Sequence, residues 1–185
     1  MKKNNENELL EHKFKPIYDS NSKILILGSF PSVKSRQQNF YYGHEKNRFW
    51  KLLAYLFNMD VPTSIDEKIN FLLKNNIAIW DVVKRCKICG SSDLSITDVT
   101  LNDILSILDK TNIKEIYFNG KTAYNLFFKY QNKDILNKYN DIKFVNLPST
   151  SPANASYSFE KLVDCWEEIK NNSWELLLFF YLFLI

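Results

Sequence analysis

Aromatic, imidazole and amide side chains lie close together between residues 28 and 50. Tyr42 offers a flat aromatic face, while His44 and Asn47 offer hydrogen-bond donors and acceptors just before an apolar helical pattern. Enzymes that act on a nucleobase stack it against aromatic side chains and contact its edge with amide and main-chain groups. The residue types in this segment therefore indicate a loop that binds a base.

Each of these residues also has a structural interpretation when it is taken alone. Gly28 can shape the turn after a strand, and Tyr42 can belong to the core. His44 can support a helix, and Asn47 suits the N-cap of a helix, where its side chain accepts a main-chain N–H bond. The combination within one loop is what favours binding chemistry.

Two further polar segments supply candidate residues. Asn119 follows an apolar run and precedes Gly120, so it either reads the edge of a base or shapes a turn. Residues 148–157 are rich in small hydroxyl side chains, which bind phosphates well, although such a loop can also be a simple connection. The candidates for DNA contact in this closing loop are Ser149, Thr150, Ser151 and Pro152.

Four short apolar runs must position these segments, and they predict buried strands at 23–28, 77–83, 113–118 and 143–147. Helical patterns fall at 47–58, 64–75, 102–110, 122–130 and 158–170. Strands that alternate with helices predict an α/β protein, here a three-layer α/β/α sandwich around a four-stranded, mainly parallel sheet. Ligands of such sheets bind at the carboxyl ends of the strands, where segments 29–47, 81–98 and 148–157 begin.

The length of 185 residues predicts a single domain. We expect a core at about 23–170, an N-terminal extension over 1–20 and an apolar tail over 173–185. Residues 176–185 are uninterrupted apolar side chains, but a membrane span needs about 20. The sequence leaves three interpretations of this tail: it packs on the domain, it pairs with a partner, or it is an aberrant end. The start has no signal-peptide pattern, so we expect a cytoplasmic, nucleoid-associated monomer that does not bind membranes.

The net charge of +3 permits nucleic-acid binding without arguing for it. Cys86 and Cys89 form a CxxC pair that could be half of a zinc or iron–sulfur site. The ligands that could complete it are Cys165, His12 and His44, and they are scattered along the chain. We interpret the pair as free thiols and expect neither a metal nor another cofactor.

These segments together resemble the uracil DNA glycosylase superfamily. In that family a strand ends in Gly-x-x-Pro-Gly or a similar sequence, and a His-x-x-Asn-x-Phe-Trp run opens a helix. The runs beginning at Gly28 and His44 match both patterns, and residues 79–82, 118–124 and 147–154 are also similar. The form Gly-Ser-Phe-Pro-Ser lacks the Asn or Asp of other branches, so the chain looks like the hypoxanthine (deoxyinosine) glycosylase branch. The resemblance covers about residues 23–170.

The resemblance implies hydrolysis of the N-glycosidic bond of a deaminated base, chiefly hypoxanthine, in double- or single-stranded DNA. It assigns Asn47 to orienting the attacking water and His44 to a bond with the base or a phosphate, so these two are the catalytic candidates. The base-binding candidates are Gly28, Ser29, Phe30, Tyr42 and Asn119. Residues 149–152 would press against the minor groove.

Two departures and several alternatives accompany this hypothesis. Glu45 stands where Pro is common, and Leu147 stands where other branches place a His that stabilises the leaving base. That task falls to other donors, either backbone amides or His44. Lys34 and Lys46 are expected to contact phosphates rather than to form a Schiff base, so the enzyme would be monofunctional. A preference for uracil or xanthine, or a non-catalytic module that binds a nucleotide or damaged DNA, are the alternatives.

Overall fold

The computed structural model describes residues 8–88, 96–130 and 133–170. Cys89 of the CxxC pair, the first seven residues and the apolar tail lie outside the described residues. Within the described part, no helix is long and apolar enough to cross a membrane. The strands are β1 (Glu8–Glu11), β2 (Ile24–Gly28), β3 (Ile77–Asp81), β4 (Val83–Ile88), β5 (Thr97–Leu101), β6 (Glu115–Asn119) and β7 (Lys143–Leu147). The helices are α1 (Val33–Gln38), α2 (Phe49–Leu56), α3 (Ile65–Lys74), α4 (Leu105–Leu108), α5 (Lys121–Tyr130), α6 (Lys133–Lys138) and α7 (Phe159–Trp166), followed by a 3₁₀ turn at Glu167–Ile169.

The central sheet is parallel and has the order β3-β2-β6-β7. All four strands correspond to the predicted apolar runs. The register pairs Gly28 with Asp81 and Asn119 with Leu147, so the last residues of all four strands lie along one edge. The loops that carry the predicted site residues start from this edge.

Alternate residues of β2 enter two separate cores, one on each face of the sheet. Ile24 and Ile26 pack in a core with residues of α2, α3 and α7. Leu25 and Leu27 pack in a second core with residues of α4, α5 and β4. The three-layer α/β/α prediction is therefore confirmed, because the continuous apolar run of β2 is covered on both sides.

The predicted strand at 77–83 is wrong at its end, because the chain turns at Val82. The strand β3 stops at Asp81, and Val83 begins β4 of a separate antiparallel sheet with the order β1-β4-β5. Asn102 holds this turn, since its Nδ2 donates to the carbonyl oxygens of Asp81 at 2.9 Å and of Val83 at 3.3 Å. Val82 and Val83 are both fully buried, so hydrophobicity alone gave no sign of the turn.

Side chains cap the starts of two helices. Ser64 and Glu67 form a capping box at the start of α3, and the Ser158 side chain accepts the N–H of Lys161 at the start of α7. The N-cap position of α2 is Arg48 rather than Asn47. The pattern at 102–110 yields only the short helix α4.

Candidate active site

A cleft of about 740 Å³ opens at the carboxyl edge of the parallel sheet. Its walls come from the ends of the strands and from the loops that follow β2 and β7. The predicted site residues that line it are Gly28, Ser29, Phe30, Tyr42, Asn47, Asn119, Ser149, Thr150 and Ser151. His44 and Pro152 are not among its lining residues.

The floor of the cleft forms where β2 and β3 end side by side. The carbonyl oxygens of Gly28 and Ser29 accept hydrogen bonds from the N–H groups of Val82 at 2.8 Å and Val83 at 3.0 Å. A Cβ added at Gly28 would lie 2.1 Å from Oδ1 of Asp81. Only glycine allows this approach, so the Asp81 carboxylate packs directly against the Gly28 backbone at the floor.

The side chain of Tyr42 packs against the start of α2. Its φ angle of 51° is in the left-handed region, and its ring stacks on Phe49 with centroids 3.8 Å apart and planes at 25°. Ser35 secures the loop, because its Oγ accepts the N–H of Gly43 at 3.1 Å. Since Phe49 covers one face of the Tyr42 ring, only the other face or the edge can meet a base.

Asn47 combines both of its predicted interpretations. Its Oδ1 accepts the N–H of Phe49 at 3.0 Å, which satisfies a donor at the start of α2. The side chain also lines the cleft. An amide oxygen has a second lone pair and the NH₂ group two protons, so Asn47 keeps hydrogen-bonding capacity for a ligand while its orientation is fixed.

His44 supports the loop instead of lining the cleft. Its Nδ1 accepts the N–H of Lys46 at 3.1 Å, and its carbonyl oxygen accepts the N–H of Asn47 at 2.7 Å. These contacts match the structural interpretation of this histidine. A contact between His44 and a base would require a change of the loop, whereas a contact with DNA outside the cleft would not.

Asn119 and Thr150 bind each other and join β6 to the closing loop. The Asn119 Nδ2 donates to Oγ1 of Thr150, and the Thr150 N–H donates to Oδ1 of Asn119, both at 2.9 Å. Thr150 is fully buried, so it lies in the interior and not on a surface that DNA could reach. One proton and one lone pair of the Asn119 amide are left for a base edge.

Arg48 organises the closing loop, although sequence reasoning did not single it out. Its guanidinium donates to the carbonyl oxygens of Thr150 at 3.2 Å, Ser151 at 2.7 Å and Asn154 at 3.0 Å, and also to that of Tyr157. The planar guanidinium carries five N–H donors in a fixed geometry, so one side chain can bind several backbone carbonyl groups of the loop at the same time.

The sequence places this fold and site in a known family. A sequence model of the uracil DNA glycosylase superfamily matches residues 15–170. The chain belongs to this superfamily.

Similar proteins agree with this family. A hypoxanthine DNA glycosylase of Methanosarcina barkeri is 38% identical over 112 residues, which cover 60% of this chain and 71% of that protein. One of Methanosarcina acetivorans is 33% identical over 117 residues, covering 62% and 74%. The solution NMR structure of a candidate uracil DNA glycosylase from Methanosarcina acetivorans superposes with a TM-score of 0.71 at 28% identity, covering 89% of this chain and all of that one.

In this member of the superfamily, the Arg48→Lys variant is expected to loosen the closing loop while keeping the positive charge. Lysine cannot span several carbonyl groups, so we expect the free energy of unfolding to fall by about 2 kcal/mol, the scale of hydrogen bonds to a charged donor. We also expect the affinity for a deoxyinosine duplex to drop about tenfold or more, because the closing loop, which was predicted to contact DNA, would no longer be held in shape. Urea denaturation and fluorescence anisotropy measure the two effects.

Arg85→Lys, at an exposed position of β4, is the matched control. It should leave both the stability and the affinity unchanged. If the two variants behave alike, Arg48 does not organise the loop.

A second pair of residues lies at the floor. The sequence alone offered Asp81 only as an alternative to Asn47 for positioning water and His12 only as a possible metal ligand, and it did not indicate that the two form a pair. Nε2 of His12 lies 2.7 Å from Oδ2 of Asp81, and both side chains are almost fully buried. Nearby, burial and the negative charge of Asp81 raise the pKa of the Tyr41 hydroxyl, so Tyr41 stays a neutral donor, here to the carbonyl oxygen of Lys15 at 2.9 Å. Asp81 is the first residue of segment 81–98, which was expected at the carboxyl ends of the strands, and this position was the available signal. Nothing near His12 indicates its partner.

The described residues contain no group of three or more side chains that could hold a metal ion. Cys86 is buried and Cys165 is exposed. Because Cys89 lies outside the described residues, the CxxC interpretation stays a prediction.

Proposed function

We propose that this chain is a monofunctional DNA glycosylase that hydrolyses the N-glycosidic bond of deaminated bases, hypoxanthine before uracil and xanthine. The observation that carries the proposal is the cleft itself, which Asn47, Tyr42 and the strand end at Gly28 line together. The relatives named hypoxanthine DNA glycosylases support the choice of base. We propose that it acts as a monomer in the compartment that holds the DNA.

The reaction needs stabilisation of two opposite charges. When the bond between C1′ and the base breaks, positive charge develops on the sugar and negative charge on the departing base. Preorganised polar groups in a cleft that excludes water stabilise such charges without reorganising. In this scheme the Asn47 amide holds the water that attacks C1′, while the exposed face or edge of Tyr42 contacts the base.

The departing base requires donors at the floor of the cleft. Leu147 is buried and apolar, and His44 lies outside the cleft. The backbone N–H groups after Gly28 are therefore the proposed donors, as fixed dipoles beside the leaving group. The spare proton and lone pair of the Asn119 amide fit the carbonyl and adjacent N–H that deamination creates on a base.

The closing loop is proposed to contact DNA through its outer residues. Ser149 and Ser151 line the rim of the cleft, and Pro152 is exposed. Thr150 contributes indirectly, because it ties the loop to Asn119. Small hydroxyl groups and main-chain N–H groups make sequence-independent phosphate and sugar contacts, which position an enzyme on DNA.

A substrate panel tests the proposed specificity. Identical labelled duplexes carry one deoxyinosine, deoxyuridine, deoxyxanthosine or unmodified deoxyadenosine, and alkali converts each abasic site into a strand break. We expect single-turnover scission fastest with deoxyinosine and absent with deoxyadenosine. Faster scission with deoxyuridine would reverse the ranking. Binding of all duplexes with no scission would favour the non-catalytic module.

The absence of lyase activity is a separate prediction. A lyase needs an unprotonated amine, and nucleophilic lysines are activated by desolvation. Lys34 and Lys46 are exposed and outside the cleft, and Lys121 lines the cleft but is also exposed. Borohydride present during the reaction should therefore trap no protein–DNA adduct. A trapped band that disappears in Lys121→Met would instead identify Lys121 as a Schiff-base nucleophile.

Excision is also expected to survive chelation. The proposed chemistry uses amides, backbone donors and water, and it routes no step through a metal. Preincubation with EDTA should leave the single-turnover rate unchanged. Loss of activity that zinc restores would contradict this prediction and would return Cys86 and Cys89 to consideration as ligands.

A further inference from the structure

A carboxylate and an imidazole form a buried pair at the floor of the cleft. The His12 Nε2 to Asp81 Oδ2 distance is 2.7 Å, and the side chains are 0% and 6% exposed. The pair joins β3 to the segment after β1, which are 69 residues apart in sequence. Burying a charged or polar group is costly unless it is hydrogen-bonded, so this pair is a specific arrangement.

The surrounding bonds determine which nitrogen of His12 carries the proton. The N–H of Phe14 donates to Nδ1 of His12 at 3.1 Å. A nitrogen that accepts a hydrogen bond is unprotonated, so the proton of the neutral ring lies on Nε2 and is donated to Asp81. Oδ2 of Asp81 is therefore the acceptor of this bond, and His12 fixes the orientation of the carboxyl group.

The second carboxylate oxygen of Asp81 lies against Gly28, at the floor of the cleft. Asp81 lines the cleft, and its Oδ1 is the atom that a Cβ at Gly28 would meet at 2.1 Å. The register places Asp81 opposite Gly28 at the strand ends. One oxygen is thus held by His12 while the other lies at the floor of the site.

We propose that Asp81 is a further catalytic residue, which accepts a hydrogen bond from the attacking water and stabilises the positive sugar, and that His12 is its positioning residue. This inference rests on the proposed glycosylase function. Asn47 and Asp81 then have complementary tasks. The amide NH₂ donates to the oxygen of the water, and the carboxylate accepts one of its protons.

Charge decides between this role and base recognition. A carboxylate beside the departing base would face the negative charge that develops there and would raise the barrier. The same carboxylate beside the sugar faces developing positive charge and lowers it, most strongly in a buried site. Only the second placement lets the side chain of Asp81 assist the reaction.

The step balances without any further reactant. The C1′–N bond breaks, and its electron pair leaves with the base. The water oxygen forms a bond to C1′ and its proton passes to Asp81. The departing base takes up a proton from solvent, and Asp81 returns its own proton to solvent.

The Asp81→Asn variant tests the role because it keeps the size of the side chain and removes the charge. We expect single-turnover excision of deoxyinosine at saturating enzyme to fall about 10²-fold or more, the scale of losing an acid–base group. The Kd for the same duplex should change less than threefold. In Asp81→Ala, added formate should restore part of the excision rate, because it supplies a carboxylate to the vacated space. A purely structural role would give no such rescue.

Coupling between the two residues tests the role of His12. His12→Gln should slow excision about tenfold on its own and cause no further loss in the Asp81→Asn background, since His12 acts through the carboxylate. Thermal melts of each variant show whether it is folded. Losses that multiply in the double variant would show that His12 acts independently of Asp81.

The outcomes separate this inference from the proposed function. If the wild type excises the base and Asp81→Asn does so at a nearly normal rate, the role of Asp81 is overturned and the proposed glycosylase function stands. A raised Kd at an unchanged saturating rate would mean that Asp81 binds the substrate and does not promote the reaction. No excision by the wild-type protein would overturn the proposed function and this inference with it.

Discussion

Replacing Asn47 with alanine is expected to lower single-turnover excision by about 10²-fold or more, the scale of removing one oriented polar catalytic group. The side chain lines the cleft, and its bond to Phe49 fixes the amide in one orientation. The loss of that bond at the start of α2 should reduce stability by only about 1 kcal/mol, the usual effect of a missing cap. Binding of deoxyinosine duplex should persist because the other cleft residues remain.

The Asn47→Asp variant separates catalysis from capping. Aspartate keeps the oxygen that accepts the Phe49 N–H, and its charge is favourable at the N-terminus of a helix. The variant should therefore melt like the wild type but still excise slowly, because the NH₂ group is gone. Near-normal excision by Asn47→Ala together with a lower melting temperature would make Asn47 a structural cap.

The Gly28→Ala variant should have the second large effect, because the new methyl group would collide with the carboxylate of Asp81. The added Cβ would lie 2.1 Å from Oδ1, so either the carboxylate or the backbone must move. Overpacking of this kind costs about 1–3 kcal/mol of stability. Excision should fall about 10²-fold or more, since this movement at the floor would displace both the base and the polar groups that face it. Single-turnover rates and urea denaturation measure the two losses.

Gly43→Ala is the matched control within the same loop. A Cβ there would lie 2.6 Å from Oε1 of Gln38, the far end of a flexible side chain that can rotate away. We expect stability and excision close to those of the wild type. Equal losses in both glycine variants would indicate general sensitivity of the loop instead of a specific role for the floor.

The sequence predicted the part of the fold that depends on local pattern. Continuous apolar runs such as β2 can only be buried on both faces, which requires helices on each side of a parallel sheet. Chain order then placed the loops after Gly28, Asn119 and Leu147 at one edge. The turn at Val82 escaped prediction, because it is fixed by Asn102 from a later segment.

The site was predictable in its location but not in its contacts. Tyr42, Asn47 and Asn119 were found through their residue types and their place after apolar runs. Whether a side chain is free for a ligand depends on partners far along the chain, as the bond between Asn119 and Thr150 shows. The partners of His12 and Arg48 lie 69 and about 100 residues away, and no local pattern records them.

Mass spectrometry of the complete reaction tests the central claim most directly. A duplex with a single deoxyinosine is incubated with excess protein. The masses of the released small molecules and of the intact strands are measured before any alkali is added. The account predicts free hypoxanthine in equal amount to an uncut strand that carries one abasic site. Recovery of an unchanged strand bound to the protein, or release of deoxyinosine as a nucleoside or nucleotide, would contradict hydrolysis of the glycosidic bond by this cleft.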